Sequence, residues 1–216
     1  MSKKLPVIII GSGGHASVLI EILQILNQTI IGVADPFKEI GTEVGDVTVI
    51  GGDDVITKYS KEKVLLVNGV GSIPGSTQRL DVSVRFRSLG YEFASVISPS
   101  AILSSNASVD EGVQIMPGVI VQPHVKIGLD SIINTGSIIE HDCIIGKSCH
   151  IAPGSIFSGG VILGDRVHVG TGATVVQNIK IGSGSVIGAG SLVLNDVNQN
   201  VKFIQKRVNL ENFLER

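Results

Sequence analysis

The chain has 216 residues, 43% of them hydrophobic, which is enough for a sizeable core in one large or two modest domains. Lys and Arg number 17 against 19 Asp and Glu, a net charge of −2 without a dense basic run, so the electrostatic footprint of a nucleic-acid binder is missing. Glycine is abundant at 27 residues, aromatics make up 4% and Trp is absent, a composition suited to tight turns and stacked aliphatics.

The chain opens with a short basic stretch and the apolar run Leu5 to Ile10. That run passes into Gly11-Ser12-Gly13-Gly14-His15-Ala16 without a signal-peptide cleavage pattern, so it reads as a strand covered on both faces rather than a leader. No stretch of 18 apolar residues occurs, and a cytoplasmic protein without membrane insertion is expected. Ser17 to Leu26 has a helical pattern. Thr29 to Ala34 is a second apolar run ending in Asp35-Pro36, and Val64 to Val67 is a third, ending in Asn68-Gly69-Val70-Gly71-Ser72. A helix-like segment from about Pro74 to Leu89 and a last run, Tyr91 to Ile97, complete an alternation that predicts a small doubly wound α/β domain.

Gly11, Gly13 and Ala16 fit G-x-G-x-x-A, and Asp35 lies near the end of the second strand, where an acid can meet a ribose hydroxyl. Fewer than 100 residues precede the next unit, so a single nucleotide fits better than a dinucleotide; the alternative is that these glycines only turn the chain. His15 falls in the first turn of the helix, where it either hydrogen-bonds a phosphate or sugar or stands as a surface histidine without a task.

From Ile97 to Val193 every sixth residue is large and apolar, with a smaller residue four places after each and no insertion anywhere. A period of six matches neither helix nor plain strand; it describes hexapeptide repeats winding into coils that share one aliphatic interior. Cys143 and Cys149 occupy the small-residue position of consecutive repeats and read as core, not as ligands or a redox pair.

Chemistry on such a solenoid needs polar residues the core does not use. The repeat Ile139-Glu140-His141-Asp142-Cys143-Ile144 supplies three in a row, and His150 follows nine residues after His141. Three hexads make a coil of 18, so the residue one coil after His141 is Gly159, with Gly160 beside it. A histidine can take a proton from an amine or hydroxyl, Asp142 or Glu140 can fix its tautomer, and glycine N–H groups can meet a developing oxyanion. The set resembles acyl-transfer machinery; the alternative is a solvated face of the solenoid. His124 and His168 read as surface residues.

The Gly11–Ala16 turn, Ile97-Ser98-Pro99-Ser100-Ala101 at the start of the hexads, and Asn134-Thr135-Gly136-Ser137-Ile138-Ile139-Glu140-His141-Asp142-Cys143 together resemble sugar acetyltransferases. These are typified by bacterial sialic acid O-acetyltransferases and bacillosamine-type UDP-4-amino-sugar N-acetyltransferases, and the likeness spans about residues 5–196. The resemblance implies a Rossmann-like domain at 1–96, a left-handed parallel β-helix at 97–196 and a C-terminal extension at 197–216. It implies a homotrimer binding acetyl-CoA between subunits, and no metal. His141 would be the general base with Asp142 as its partner, Asn134 an active-site asparagine, His150 a histidine near the thioester, and Gly159, with Gly160 beside it, the backbone donor to the acetyl carbonyl. Gly13, His15 and Asp35 would hold the nucleotide part of the sugar.

Where the family often closes with a Gly-Val-Pro-Ala-Lys type segment, this chain continues from Asp196 to Arg207, and Lys202, Lys206 and Arg207 are the expected contacts for CoA phosphates. Asn209 to Arg216 reads as a short N-capped helix. The expected function is acetyl transfer from acetyl-CoA to the amino group of a UDP-4-amino sugar for surface glycan synthesis. O-acetylation of sialic acid or a related nonulosonic acid is the alternative within the class. A non-catalytic trimeric nucleotide-binding scaffold and an oxidoreductase built on the glycine turn are the alternatives outside it.

Overall fold

A computed structural model describes residues 5–205. The uninterrupted apolar run at the start becomes β1, Val7–Ile10, with all four residues buried, as a strand covered on both faces requires. It leads through the glycine turn into α1, Gly14–Ile25, and β2, Ile30–Ala34. A hairpin follows, β3 at Glu43–Val44 and β4 at Val47–Gly51, then a 3-10 turn at Asp53–Lys58 and β5, Leu65–Asn68. The strand order is β3-β4-β2-β1-β5, parallel except for the β3 edge.

Two expected segments differ. The second helix, α2, spans Gln78–Ser88 and begins four residues later than Pro74, because Gly75 takes a left-handed φ of +83° and Thr77 is the N-cap residue. Tyr91 to Ile97 is not a single strand of the α/β sheet. Phe93 makes one bridge to Leu66, after which Val96 donates its N–H to the Val113 carbonyl and the chain has entered the repeats.

From Val96–Ile97 onward the hexads form two-residue strands, three per coil, as a left-handed β-helix. Ile120 pairs in parallel with Ile102 and Ile138, 18 residues to either side, and the three faces carry ladders of seven, six and five strands. The inward residues of one face, Ile115, Ile133, Ile151, Val169 and Ile187, are completely buried. Each contributes about 1.5–3 kcal/mol of burial, which a lone hexad could not obtain. Small positions hold buried hydroxyls that close backbone carbonyls, as Ser155 Oγ does to the Gly170 carbonyl at 3.1 Å. Cys143 and Cys149 are buried and free; burial pushes their thiols up to about 11 and about 12, so both are unreactive core residues.

The α/β part packs on the seven-stranded face. Leu19, Ile22 and Leu23 of α1 join Val96 and Val113 in one continuous core. At the rim Arg87 of α2 reaches Asp130 at 3.0 Å and Glu111 at 2.5 Å, and the Asp130 side chain is almost fully buried.

Candidate active site

His141 and Asp142 stand at the corner between the six- and five-stranded faces. Asp142 adopts a left-handed φ of +61°, which turns its carboxylate back onto the preceding residue, and the His141 Nδ1···Asp142 Oδ2 distance is 2.7 Å. Asp142 is therefore the partner, and Glu140 makes no such contact. With Nδ1–H donated to the carboxylate, Nε2 carries the lone pair and is the proton acceptor. Both side chains are about 60% exposed, so the pair lies open on the surface of a single copy.

Gly159 lies one coil on, under the imidazole: a Cβ built there would stand 2.6 Å from His141 Cε1 and 2.7 Å from Nε2. Among the described residues the Gly159 N–H has no backbone or side-chain acceptor, whereas the Gly160 N–H donates to the His141 carbonyl at 2.9 Å. Of the two glycines read as oxyanion donors, only Gly159 is free to act as one. The Gly160 N–H is consumed by the coil.

Asn134 and His150 form a second group on the seven-stranded face. Asn134 Oδ1 accepts the Thr135 N–H at 2.8 Å, which orients the amide so that Nδ2 donates to His150 Nε2 at 3.2 Å. His150 is thus the Nδ1–H tautomer, and its Nδ1 is buried without a partner. Burial, then the neighbouring His168, hold its pKa down to about 3. His168 is not the surface residue its sequence suggested. It is half-buried one coil above His150, edge to face with ring centroids 4.8 Å apart, and its own Nδ1 is also buried and unpartnered. His124 is exposed, as expected.

His15 turns from α1 toward the same group. Its Nε2 lies 2.7 Å from Gln114 Oε1, and Gln114 Nε2 donates to the Asn68 carbonyl at 2.8 Å, which fixes the amide and makes His15 Nε2 the donor. Burial, and then Arg79, lower its pKa to about 4, so it is neutral. Gln114 and Arg79 were not singled out from sequence. Gln114 had a signal, a polar residue in an outward slot of a repeat, and it became informative only when the α/β part docked there.

The glycine turn borders a separate cleft of about 640 Å³ at the carboxyl ends of the parallel strands, lined by Gly11, Asp35, Phe37, Asp53, Thr77 and Asp81 among others. This is the topological switch point, where β1 neighbours β5 after the chain has run out to β2 and β4. Asp35 is buried and accepts the Ser12 N–H at 2.9 Å, the Ser12 hydroxyl at 2.5 Å and the Phe37 N–H at 2.8 Å, so it shapes the turn. Gly13 is the N-cap of α1, exposed, with open space where a Cβ would stand. His15 is not among the residues lining the cleft.

Lys202 is exposed on the final strand and lines a shallow groove with His150, His168 and Gly188; Lys206, Arg207 and the segment Asn209 to Arg216 lie outside the described residues. Among the described residues no three of His, Cys, Asp and Glu converge as metal ligands, and no helix is long and apolar enough to cross a membrane.

Residues 6–74 match the family described as the PglD N-terminal domain, and residues 142–176 match the bacterial transferase hexapeptide family. No curated protein sequence matches the chain. Among solved structures the chain is similar to GDP-perosamine N-acetyltransferase from Caulobacter crescentus, a histidine-to-alanine variant in complex with CoA and GDP-perosamine. The two share 31% identity over 93% of this chain and 96% of that one, with a TM-score of 0.82. It is also similar to the acetyltransferase domain of PglB from Neisseria gonorrhoeae in complex with acetyl coenzyme A, at 27% identity over 92% and 95% of the two chains and a TM-score of 0.82.

Proposed function

The chain belongs to the PglD-type nucleotide-amino-sugar N-acetyltransferases of the hexapeptide-repeat class, and we propose that it transfers the acetyl group of acetyl-CoA to the amino group of a nucleotide-linked amino sugar for surface glycan synthesis. The observation that carries this reading is the His141–Asp142 pair over Gly159. His141 Nε2 takes the proton that the acceptor nitrogen loses as it attacks the thioester carbonyl. Asp142 holds the ring and stabilises the imidazolium that results. The free Gly159 N–H donates to the carbonyl oxygen as negative charge grows on it, and the CoA thiolate leaves as the carbonyl re-forms.

We assign residues 1–96 to the nucleotide, with Gly13 and Asp35 shaping the turn that borders its cleft and His15, which turns away from that cleft toward Gln114, meeting the substrate only on the β-helix side, and 97–196 to acetyl transfer, with 197–216 as an extension that brings Lys202 toward CoA. His150 and Asn134 belong near the thioester in this reading. The working form is a homotrimer. Its support is an outward apolar column beside His141, with Ile102, Ile156 and Leu192 at 65%, 40% and 39% exposed, together with the open position of the catalytic pair. Sedimentation at micromolar concentration giving a monomer would refute the trimer. We place the enzyme in the cytoplasm, where acetyl-CoA is available.

The test is thiol release from acetyl-CoA with UDP- and GDP-linked 4-amino sugars and free nonulosonic acids as acceptors. Release is expected with a nucleotide-linked amino sugar and is expected to fall roughly 100-fold or more in His141→Ala. Near-full turnover in that variant, or turnover confined to the free acids, would overturn the proposal.

A further inference from the structure

A cavity of about 290 Å³ lies between the loop that precedes α2 and the seven-stranded face of the β-helix. Three of the residues lining it, Arg79, His150 and His168, each carry a buried nitrogen with no partner at hydrogen-bond geometry, Nη2 of the arginine and Nδ1 of both histidines; the Ser72 backbone stands near the His150 ring without meeting that geometry. Buried donors are almost always satisfied, and one left alone costs about 1–3 kcal/mol. Arg79 Nη2 and His150 Nδ1 are two such donors at the wall of one cavity, and His168 Nδ1 is a third in the tautomer that protonates it; together they describe a site shaped for an acceptor that is not part of the chain.

The charge at this site favours an anion. Arg79 spends Nη1 on the Asn68 and Val70 carbonyls at 2.8 and 2.7 Å, which aims the guanidinium and leaves its second amino group free. Arg166 lines the cavity as an exposed second cation. One carboxylate, Asp130, lines the cavity, and it is already held by Arg87 at 3.0 Å. His150 Nδ1 bears a proton by the tautomer argument above. Ser76 and Thr77, where α2 begins, line both this cavity and the nucleotide cleft, so the two spaces adjoin across one short stretch of chain.

We propose that this cavity binds a phosphate group of a substrate, with Arg79 Nη2, His150 Nδ1 and His168 Nδ1 as its inner donors and Arg166 at its mouth. The inference rests on the acetyltransferase reading, which supplies two carriers of that chemistry: the diphosphate of the sugar nucleotide, compatible with His150 near the thioester, and the phosphates of CoA, which would take the place of that assignment of His150. The glycine turn at α1, to which the G-x-G-x-x-A pattern points, would then not be the only phosphate contact.

The test is calorimetric titration of the intact protein with inorganic pyrophosphate, UDP, GDP, CoA and 3′-dephospho-CoA. It is run on wild type, Arg166→Ala, which removes an exposed side chain, and Arg79→Lys, which keeps the inner charge but loses the fork. Pyrophosphate and one substrate class are expected to bind each variant roughly tenfold or more weakly, as for one lost charge-assisted hydrogen bond. A loss for UDP or GDP assigns the cavity to the acceptor. A loss for CoA that 3′-dephospho-CoA does not share assigns it to the 3′-phosphate, and a loss shared by both forms of CoA assigns it to the CoA diphosphate. Wild-type affinity for every ligand in both variants would overturn the proposal, as would wild type failing to bind pyrophosphate. Wild type that binds pyrophosphate but neither substrate class would instead count against the acetyltransferase reading alone.

Discussion

Replacing Gly159 by Ala separates the position of the general base from the rest of the site. Gly159 does not use a left-handed φ, so an alanine there leaves the coil intact and keeps the backbone N–H. The added methyl would stand 2.6 Å from His141 Cε1 and 2.7 Å from Nε2. Since nonbonded carbons need about 3.5 Å, the ring has to retreat by nearly ~1 Å. His141 is 62% exposed on its side chain in a single copy, so nothing within its own chain blocks the retreat and the coil need not adjust. A displacement of about 1 Å of a reacting group costs on the order of 100-fold in rate. Steady-state thiol release at saturating acetyl-CoA is therefore expected to show kcat down about 100-fold with the melting temperature unchanged. A kcat within about threefold of wild type would refute the packing of His141 over Gly159 as a catalytic arrangement, and a loss of activity matched by unfolding would show that the glycine serves the coil instead.

In Asp142→Asn the amide can donate to Nδ1 and leave Nε2 protonated, the wrong tautomer for a base. Because the pair is exposed in a single copy and water can reorient the ring, a fall in kcat of roughly 10- to 100-fold is expected. His15 and His150 stay neutral in the fold down to about pH 4 and about pH 3, while in the unfolded chain they take a proton below about 6.5. Stability present at neutral pH is thus lost as the pH falls through that window, by about 1.4 kcal/mol per pH unit per histidine. Urea midpoints at pH 7 and 5, at one protein concentration, should show the decline, and His150→Gln should flatten it. Arg87→Ala leaves Asp130 buried without its cation; with Arg87 itself partly exposed, a loss of about 2–3 kcal/mol is expected in urea unfolding, and Asp130→Asn in the same background should recover part of it.

The β-helix was legible residue by residue because its period is local. Every inward position from the hexad pattern is a buried position of a ladder where the coil is complete, and Cys143 and Cys149 fell in the core for the same reason. The α/β part was legible in its parallel strands and poorly in its edges. The β3–β4 hairpin went unread although Val44-Gly45-Asp46-Val47 is a two-residue turn with Gly45 at φ +59°, a pattern that short strands at a sheet edge weaken. Tyr91 to Ile97 is ambiguous in sequence because apolar residues suit a strand of the α/β sheet and the entry to a solenoid equally well; here Phe93 bridges to Leu66 and Val96–Ile97 opens the solenoid.

The same division runs through the site. His141, Asp142 and Gly159 come together by coil arithmetic alone, and that arithmetic also places His168 18 residues after His150, which its sequence neighbours concealed. What His15, Gln114 and Arg79 do depends on how one domain rests on the other, and no periodicity encodes that. The arithmetic further decides which glycine is the donor. At the corner positions the residue with left-handed φ returns its N–H to the coil before: Gly136 to Pro117, Asp142 to Pro123, Gly154 to Thr135 and Gly172 to Pro153, each within about 0.1 Å of 3.0 Å. Gly160 holds that position and obeys the same rule, donating to His141 itself. The residue just before the corner has no such obligation. A base at one corner therefore finds a backbone donor without an acceptor one full coil later, packed directly against its ring, and the 18-residue spacing of His141 and Gly159 is compatible with the solenoid's own hydrogen bonding.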